Sequence, residues 1–352
     1  MSAKRWVPPA VKKLSVNSAR MFIPGSCWPC IKRQEGNKLP EKTTIKMICP
    51  KCQRQLLEKA GELSCPFCRR PFSRNPFGYL DFTLEAQLRE TKSTSEEYAA
   101  EQISSTRRFY QEYLKPWVDR EKTERILDVG CGLGMGVAFL CRDGYEAYGI
   151  DLPHLAGFWA RENRDPRHFI NGDGSHTPFP DGYFDAVVTL GTIEHIGTIS
   201  GHNTLAAGYR AVRNSFAAEL LRVTKPGGRI LISCPNKSFP VDIHHQPTDE
   251  NSTEKAENRR QAIFDRTGLN LHLPFGRYHL LSFREIKKTF CRDNGAQAIR
   301  SLSARSYFAY KRTGSLKMLK QFKSLISLYM EHLPGPLRST FLNPFLIVEV
   351  RR

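Results

Sequence analysis

Cysteines are the first residues whose spacing suggests chemistry. The chain has ten, and six of them form three Cys-x-x-Cys pairs at 27/30, 49/52 and 65/68. The other four, Cys131, Cys141, Cys234 and Cys291, are scattered among apolar neighbours. Cys49-Pro-Lys-Cys52 and Cys65-Pro-Phe-Cys68 are separated by 12 residues. Each pair makes a tight turn that aims two thiolates at one ion, and two such knuckles complete a tetrahedral four-sulfur shell for zinc. Four protein ligands leave no open position, so the expected zinc is structural. It supplies the stability that so small a core lacks. The competing reading is reduced, metal-free cysteines in an apolar mini-core. No second pair remains to complete a site with Cys27 and Cys30, which read as a chance or redox pair on a flexible arm.

The second chemical signal is glycine. In Ile126-Leu-Asp-Val-Gly-Cys-Gly-Leu-Gly-Met-Gly136, a β-branched strand runs into Gly130, Gly132 and Gly134 at alternate positions. Glycines there let the backbone turn sharply and approach a ligand closely. A helix starting near Met135 turns its N-terminus to the same crevice. Asp128 just before the loop repels a pyrophosphate, which disfavours a nicotinamide dinucleotide and favours a ligand with a cationic end. About twenty residues on, Tyr148-Gly-Ile-Asp151 puts a carboxylate at the end of a second strand, where nucleoside-binding sheets hold a ribose diol. Asn171-Gly-Asp-Gly174 follows a third strand, and Asp173 there can accept a hydrogen bond from an exocyclic amine such as that of adenine. A solvated turn or cap is the bland reading of each Asp alone; the ordered set of loop, Asp151 and Asp173 is far more specific.

These residues need elements to position them. Short β-branched runs at Arg125–Val129, Ala147–Ile150, His168–Ile170, Phe184–Leu190 and Arg229–Cys234 alternate with helical stretches. That alternation predicts an α/β fold, a parallel sheet with helices on both faces. Two late strands are expected within 296–310 and 344–351, and a helix over Ser282–Asn294. Residues 1–45 read as a flexible basic arm, 46–82 as the cysteine module, and 83–120 as a helical connector. The main domain is expected over 121–352. It carries a polar, lid-like insertion at 242–275 and a basic helical insertion at 311–340.

Composition narrows the class. The 352 residues are 40% hydrophobic and 25% charged, which is ordinary globular usage. No run approaches the roughly 18 apolar residues of a membrane helix. The net charge of +18 is uneven: 16 basic against 4 acidic residues in 1–80, 18 against 24 in 81–252, and 19 against 7 in 253–352. Basic ends favour RNA, an anionic membrane surface or an anionic substrate, or simply solvate the protein. Lys4 and Arg5 precede no apolar core of signal-peptide length. The expected location is a reducing cytoplasm, with peripheral membrane association as an option. The sequence does not define an oligomeric state.

The chain resembles class I S-adenosylmethionine-dependent methyltransferases, most closely the type 11 branch. The motifs are Val129-Gly-Cys-Gly-Leu-Gly134, Gly149-Ile-Asp151, Gly172-Asp-Gly174, Phe184-Asp-Ala-Val-Val188, Ile193-Glu-His-Ile196 and Leu220-Leu-Arg-Val-Thr-Lys-Pro-Gly-Gly228. They cover 120–240 tightly and 280–352 loosely. The front module, with Phe77-Gly-Tyr-Leu-Asp-Phe82, is similar to zinc ribbons that precede some of these enzymes. The resemblance implies a Rossmann-like doubly wound sheet, mostly parallel, with Asn343–Val350 as an antiparallel last strand. It also implies S-adenosyl-L-methionine as cofactor. Gly130, Gly132 and Gly134 would pack against its methionine part, Asp151 would hold the ribose, Asp173 would lie near adenine, and Thr192 or Glu194 would lie beside the sulfonium. Asp128 and Gly174 complete the expected cofactor set.

Transfer from an activated sulfonium needs mainly alignment, and a base only if the nucleophile arrives protonated. His195 is the first candidate, with His244 and His245 behind it. The expected acceptor is a small molecule or a lipid- or sugar-linked metabolite. The alternatives are an RNA methyltransferase gripping phosphates through its basic ends, or a non-catalytic scaffold.

Overall fold

The computed structural model describes residues 45–59, 62–84, 105–199, 204–247, 253–308, 325 and 328–352. Cys27, Cys30, nearly all of the basic arm and most of the 311–340 segment lie outside them.

Among the described residues, thirteen strands form three sheets. The cysteine module supplies β1 (Leu57–Lys59), β2 (Glu62–Ser64) and β3 (Pro71–Phe72), an antiparallel three-stranded sheet. The next strand, β4 (Leu80–Asp81), leaves the module and pairs in parallel with β7 (Phe169–Asn171) at the edge of the large sheet. The remaining strands of that sheet are β5 (Arg125–Val129), β6 (Glu146–Asp151), β8 (Phe184–Leu190), β9 (Thr224–Pro235), β12 (Ala298–Ser301) and β13 (Phe345–Arg351). Their order is β12-β13-β9-β8-β5-β6-β7-β4. The run from β9 to β4 is parallel, and β13 runs antiparallel to both β9 and β12. This is the doubly wound, mostly parallel sheet with an antiparallel final strand. The short strands β10 (Val241–Asp242) and β11 (Asn270–Leu271) form a separate two-stranded ribbon.

Successive residues of one strand serve opposite faces, so a sheet covered on both sides needs apolar residues at every position. Leu127 and Val129 join one core cluster, with Ile150, Val187, Ile230 and Ile232. Ile126 joins the other, with Ala147, Ala186, Val188 and Leu231. Helices α1 (Met135–Arg142) and α2 (Ala156–Arg161) give Val137, Leu140 and Trp159 to the second face. Helix α3 (Tyr209–Val223) gives Phe216, Ala217 and Leu220 to the first. It stops at Thr224, where Pro226 bars continuation because it lacks an N–H and clashes with the preceding turn. Helix α5 (Phe283–Lys287) begins with a capping box. The Ser282 hydroxyl accepts from Glu285 N–H, and the Glu285 carboxylate accepts from Ser282 N–H.

Two features add to the sequence reading. Cys49, Leu56, Cys65, Phe72 and Phe82 belong to the same apolar cluster as the sheet, and Ile48 N–H donates to Pro178 O at 2.9 Å. The cysteine module is thus built into the sheet edge. The 242–275 segment, read as a polar, lid-like insertion, contains a 14-residue helix, α4 (Glu254–Thr267), closed by Gly268 in the left-handed region. The pairing of β10 with β11 ties its base.

Candidate functional site

The glycine loop leaves β5 and enters α1. Gly130, Gly132 and Gly134 have φ of +78°, +54° and +71°, a region that favours residues without a Cβ. Each has its own reason. A Cβ on Gly130 would lie 2.2 Å from Thr192 Oγ1, and one on Gly134 would lie 2.2 Å from Phe169 Cε1. A Cβ on Gly132 would meet nothing within 4 Å, so the chain is bare toward open space there. The loop is anchored to the neighbouring strand. Gly130 N–H donates to Ile150 O at 2.9 Å, and Trp159 Nε1–H donates to Gly132 O at 2.8 Å.

Asp151, at the end of β6, accepts from Gly132 N–H and from Leu152 N–H, both at 2.7 Å. Burial raises its carboxyl to about 6, against the pull of those two N–H groups. Asp128 is raised to about 7, first by burial and then by the charge of Asp151. Two carboxyls raised by burial therefore lie close enough for one charge to act on the other, and a cationic ligand relieves both. A dinucleotide pyrophosphate would aggravate both.

Asp173 accepts from Ser175 N–H at 2.8 Å and lies 3.5 Å from the His176 ring. Burial pushes it up, but His176 and Ser175 outweigh that and hold it below the ordinary range. Its carboxylate is partly engaged in its own turn. Gly174 has a packing reason for lacking a side chain, since a Cβ would sit 2.5 Å from Val129 Cγ1 and 2.9 Å from Phe216 Cε2. Thr192 lies over Gly130, and Glu194 follows on the short helical turn Ile193–His195. Glu194 is 2% exposed, and burial raises it to about 7. Among the described residues its Oε2 has no hydrogen-bond partner.

Two of the three candidate histidines come together. His195 Nε2 and His245 Nε2 are 3.4 Å apart, although 50 residues separate them in sequence. His245 Nδ1 lies 3.0 Å from Asp242 Oδ2. Burial favours a protonated Asp242, yet the His245 ring, His279 and His244 N–H outweigh it and hold the carboxyl well below its usual range. His244 turns elsewhere, its ring 5.1 Å from that of Phe345. An Asx turn explains the divergence: the N–H groups of His244 and His245 both donate to Asp242 Oδ1 at 3.0 Å, while their side chains part.

Three contributors escaped the sequence reading. Asp242 had a signal, since Asp-Ile-His-His places a carboxylate at turn spacing before the histidines. His279 had none. Fully buried, its Nε2 lies 3.4 Å from His245 Nδ1 and 3.6 Å from Asp242 Oδ2. Arg213 of α3, also buried, donates to the backbone carbonyls of Glu194, Ile196 and His279 and so fixes the histidine-bearing segments to one another.

The four cysteine sulfurs of the module converge. Cys49 Sγ and Cys68 Sγ are 3.7 Å apart, Cys52 Sγ and Cys65 Sγ 3.3 Å, and all four lie within 4.8 Å of one another. Sulfurs about 2.3 Å from a tetrahedral zinc stand about 3.8 Å apart, so the cluster fits that ion, whereas disulfide sulfurs stand only about 2.05 Å apart.

Sequence comparison adds a family match. Residues 127–232 match the family model described as a methyltransferase domain. The chain matches that family over those residues, which are less than a third of it. It is similar to demethylmenaquinone methyltransferase of Beutenbergia cavernae, 33% identical over 31% of this chain and 40% of that protein. It is also similar to norajmaline N-methyltransferase of Rauvolfia serpentina, 28% identical over 45% and 54%, and to the chloroplastic tocopherol O-methyltransferase of Arabidopsis thaliana, 27% identical over 39% and 38%. The chain spans about half or less of the length of each of these relatives. The matched segment holds the glycine loop, Asp151, Asp173 and Glu194; the cysteine module and His245 lie outside it.

Proposed function

We propose that the protein transfers a methyl group from S-adenosyl-L-methionine to a small-molecule or lipid- or sugar-linked acceptor. The observation that carries this reading is the pair of carboxyls raised by burial, Asp128 and Asp151, at the bare Gly132 turn. Ribose hydroxyls donating to Asp151 and the donor's positive charge offset the cost of burying both. In this reading Gly130–Gly134 pack on the methionine part, and Thr192 and Glu194 flank the sulfonium. Asp173 and Gly174 border the adenine. Attack on the sulfonium carbon forms the new bond as the bond from carbon to sulfur breaks, and the acceptor's proton leaves to a nearby base or to water. The relatives named above are methyltransferases named for demethylmenaquinone, norajmaline and tocopherol, and a small organic acceptor is proposed here. The basic ends would hold a lipid-like acceptor near an anionic surface. Among the described residues no helix is long and apolar enough to cross a membrane. The cysteine module holds a structural zinc through Cys49, Cys52, Cys65 and Cys68.

The test is incubation of the purified protein with labelled donor and a cell extract, with and without RNase. Label in an organic-soluble or small polar product supports the reading. Label confined to RNase-sensitive material overturns the acceptor class, and absence of donor binding by calorimetry overturns the reading itself.

A further inference from the structure

A second group of ligand atoms lies outside the cysteine module. Glu194, His195 and His245 each offer one, all within 4.8 Å of one another. Two imidazole nitrogens bound to one tetrahedral ion at about 2.0–2.1 Å stand about 3.3–3.4 Å apart. The two Nε2 atoms here are 3.4 Å apart. Carboxylate support of a metal-bound histidine through its other nitrogen is the usual outer layer of such sites. Asp242, fully buried in its side chain, stands 3.0 Å from His245 Nδ1. With Nδ1–H donated to Asp242, the Nε2 lone pair of His245 is left for an ion.

An independent observation points the same way. Glu194 is 2% exposed, and its Oε2 is buried with no hydrogen-bond partner among the described residues. Arg213, the nearby cation, donates to the Glu194 backbone carbonyl at 3.2 Å. A buried carboxylate oxygen without a donor is costly, and a divalent ion removes that cost.

We propose that Glu194, His195 and His245 bind a divalent transition-metal ion, with Asp242 as the supporting carboxylate. Two histidines and one carboxylate suit zinc or iron(II), and the set leaves at least one position open for an exogenous oxygen. This deepens the methyl-transfer reading, because Glu194 follows Thr192, which packs over the glycine loop. The substrate class it selects is an acceptor with a hydroxyl or phenol oxygen that can enter the open position.

Cobalt(II) titration of the zinc-loaded full chain tests the site. The wild type should take up about one additional equivalent, with visible absorption of a nitrogen–oxygen shell and no intense sulfur-to-cobalt band. His245→Ala and Glu194→Gln should abolish that uptake. Asp242→Asn should weaken it roughly 10–100-fold. Equal cobalt uptake by wild type and His245→Ala overturns the proposal. If His245→Ala does not fold, zinc-edge X-ray absorption of wild type loaded with excess zinc decides. A mixed sulfur and nitrogen–oxygen shell supports the site, and an all-sulfur shell overturns it. Donor affinity, measured by calorimetry in His245→Ala and Asp242→Asn, should change less than threefold. Loss of donor binding by wild type would instead strike the methyl-transfer reading.

Discussion

Asp151 takes two backbone N–H groups and still has lone pairs free for a ribose. Charge-assisted hydrogen bonds contribute about 1.5–3 kcal/mol each. Asp151→Ala should therefore lower donor affinity roughly 100-fold or more, read by calorimetry on folded protein; unchanged affinity would remove the ribose role. Asp128 gives a pH signature in the ligand-free protein. Its carboxyl is raised to about 7 in the fold, above the ordinary carboxylate value, mainly by burial and next by the Asp151 charge. A raised carboxyl favours the fold while protonated, and that stabilisation is lost as pH rises through about 7. Asp128→Asn cannot lose it. Thermal melts of the variant should accordingly gain on wild type between pH 5 and pH 8, and parallel curves would refute the assignment.

Among the elements, the cysteine module reaches furthest beyond its own borders. Asn75 Nδ2–H donates to Asn171 Oδ1 at 2.6 Å, and Asn171 Nδ2–H donates to the carbonyls of Asp151 and Leu152, each at 3.3 Å. A hydrogen-bonded line thus runs from the module through β7 to the residue proposed to hold the ribose. Cys65→Ser should release zinc and raise hydrogen exchange across 45–82 and 169–171 together. Donor affinity should fall about five- to tenfold, the scale of one lost hydrogen bond. Exchange confined to the module, with donor affinity intact, would show that the module folds apart from the sheet.

On the scale of the whole molecule, the 242–275 segment brings distant residues to one place. The β10–β11 pairing sets Asp242 opposite Asn270, and Asn270 Nδ2–H donates to His245 O at 2.8 Å. Helix α4 lies between those strands and contributes none of the clustered side chains. Replacing 254–267 by a short Gly-Ser link should leave donor binding within about twofold. Label incorporation into the extract product should drop at least tenfold if the helix shelters the acceptor. Equal incorporation would make it a surface excursion.

Much of this was legible locally. Strand runs, glycine spacing and the two Cys-x-x-Cys knuckles depend on residues within one turn or one strand of each other, so the sequence carries the parallel sheet, the glycine turn and the sulfur cluster. Long-range closure was not legible. No local pattern sets His279 beside Asp242, or sends β4 out of the cysteine module to pair with β7. Arg229 is likewise 1% exposed, donating to the carbonyls of Trp117 and Val118 at 2.8 and 3.0 Å. Those carbonyls stand more than a hundred residues upstream, and nothing beside Arg229 in the chain reveals them. His244 and His245 are adjacent and chemically identical, and only the turn around Asp242 decides which ring meets His195. Residue type and spacing determined which groups were available for chemistry. Tertiary packing, by excluding water and closing loops, decided which of them share a site.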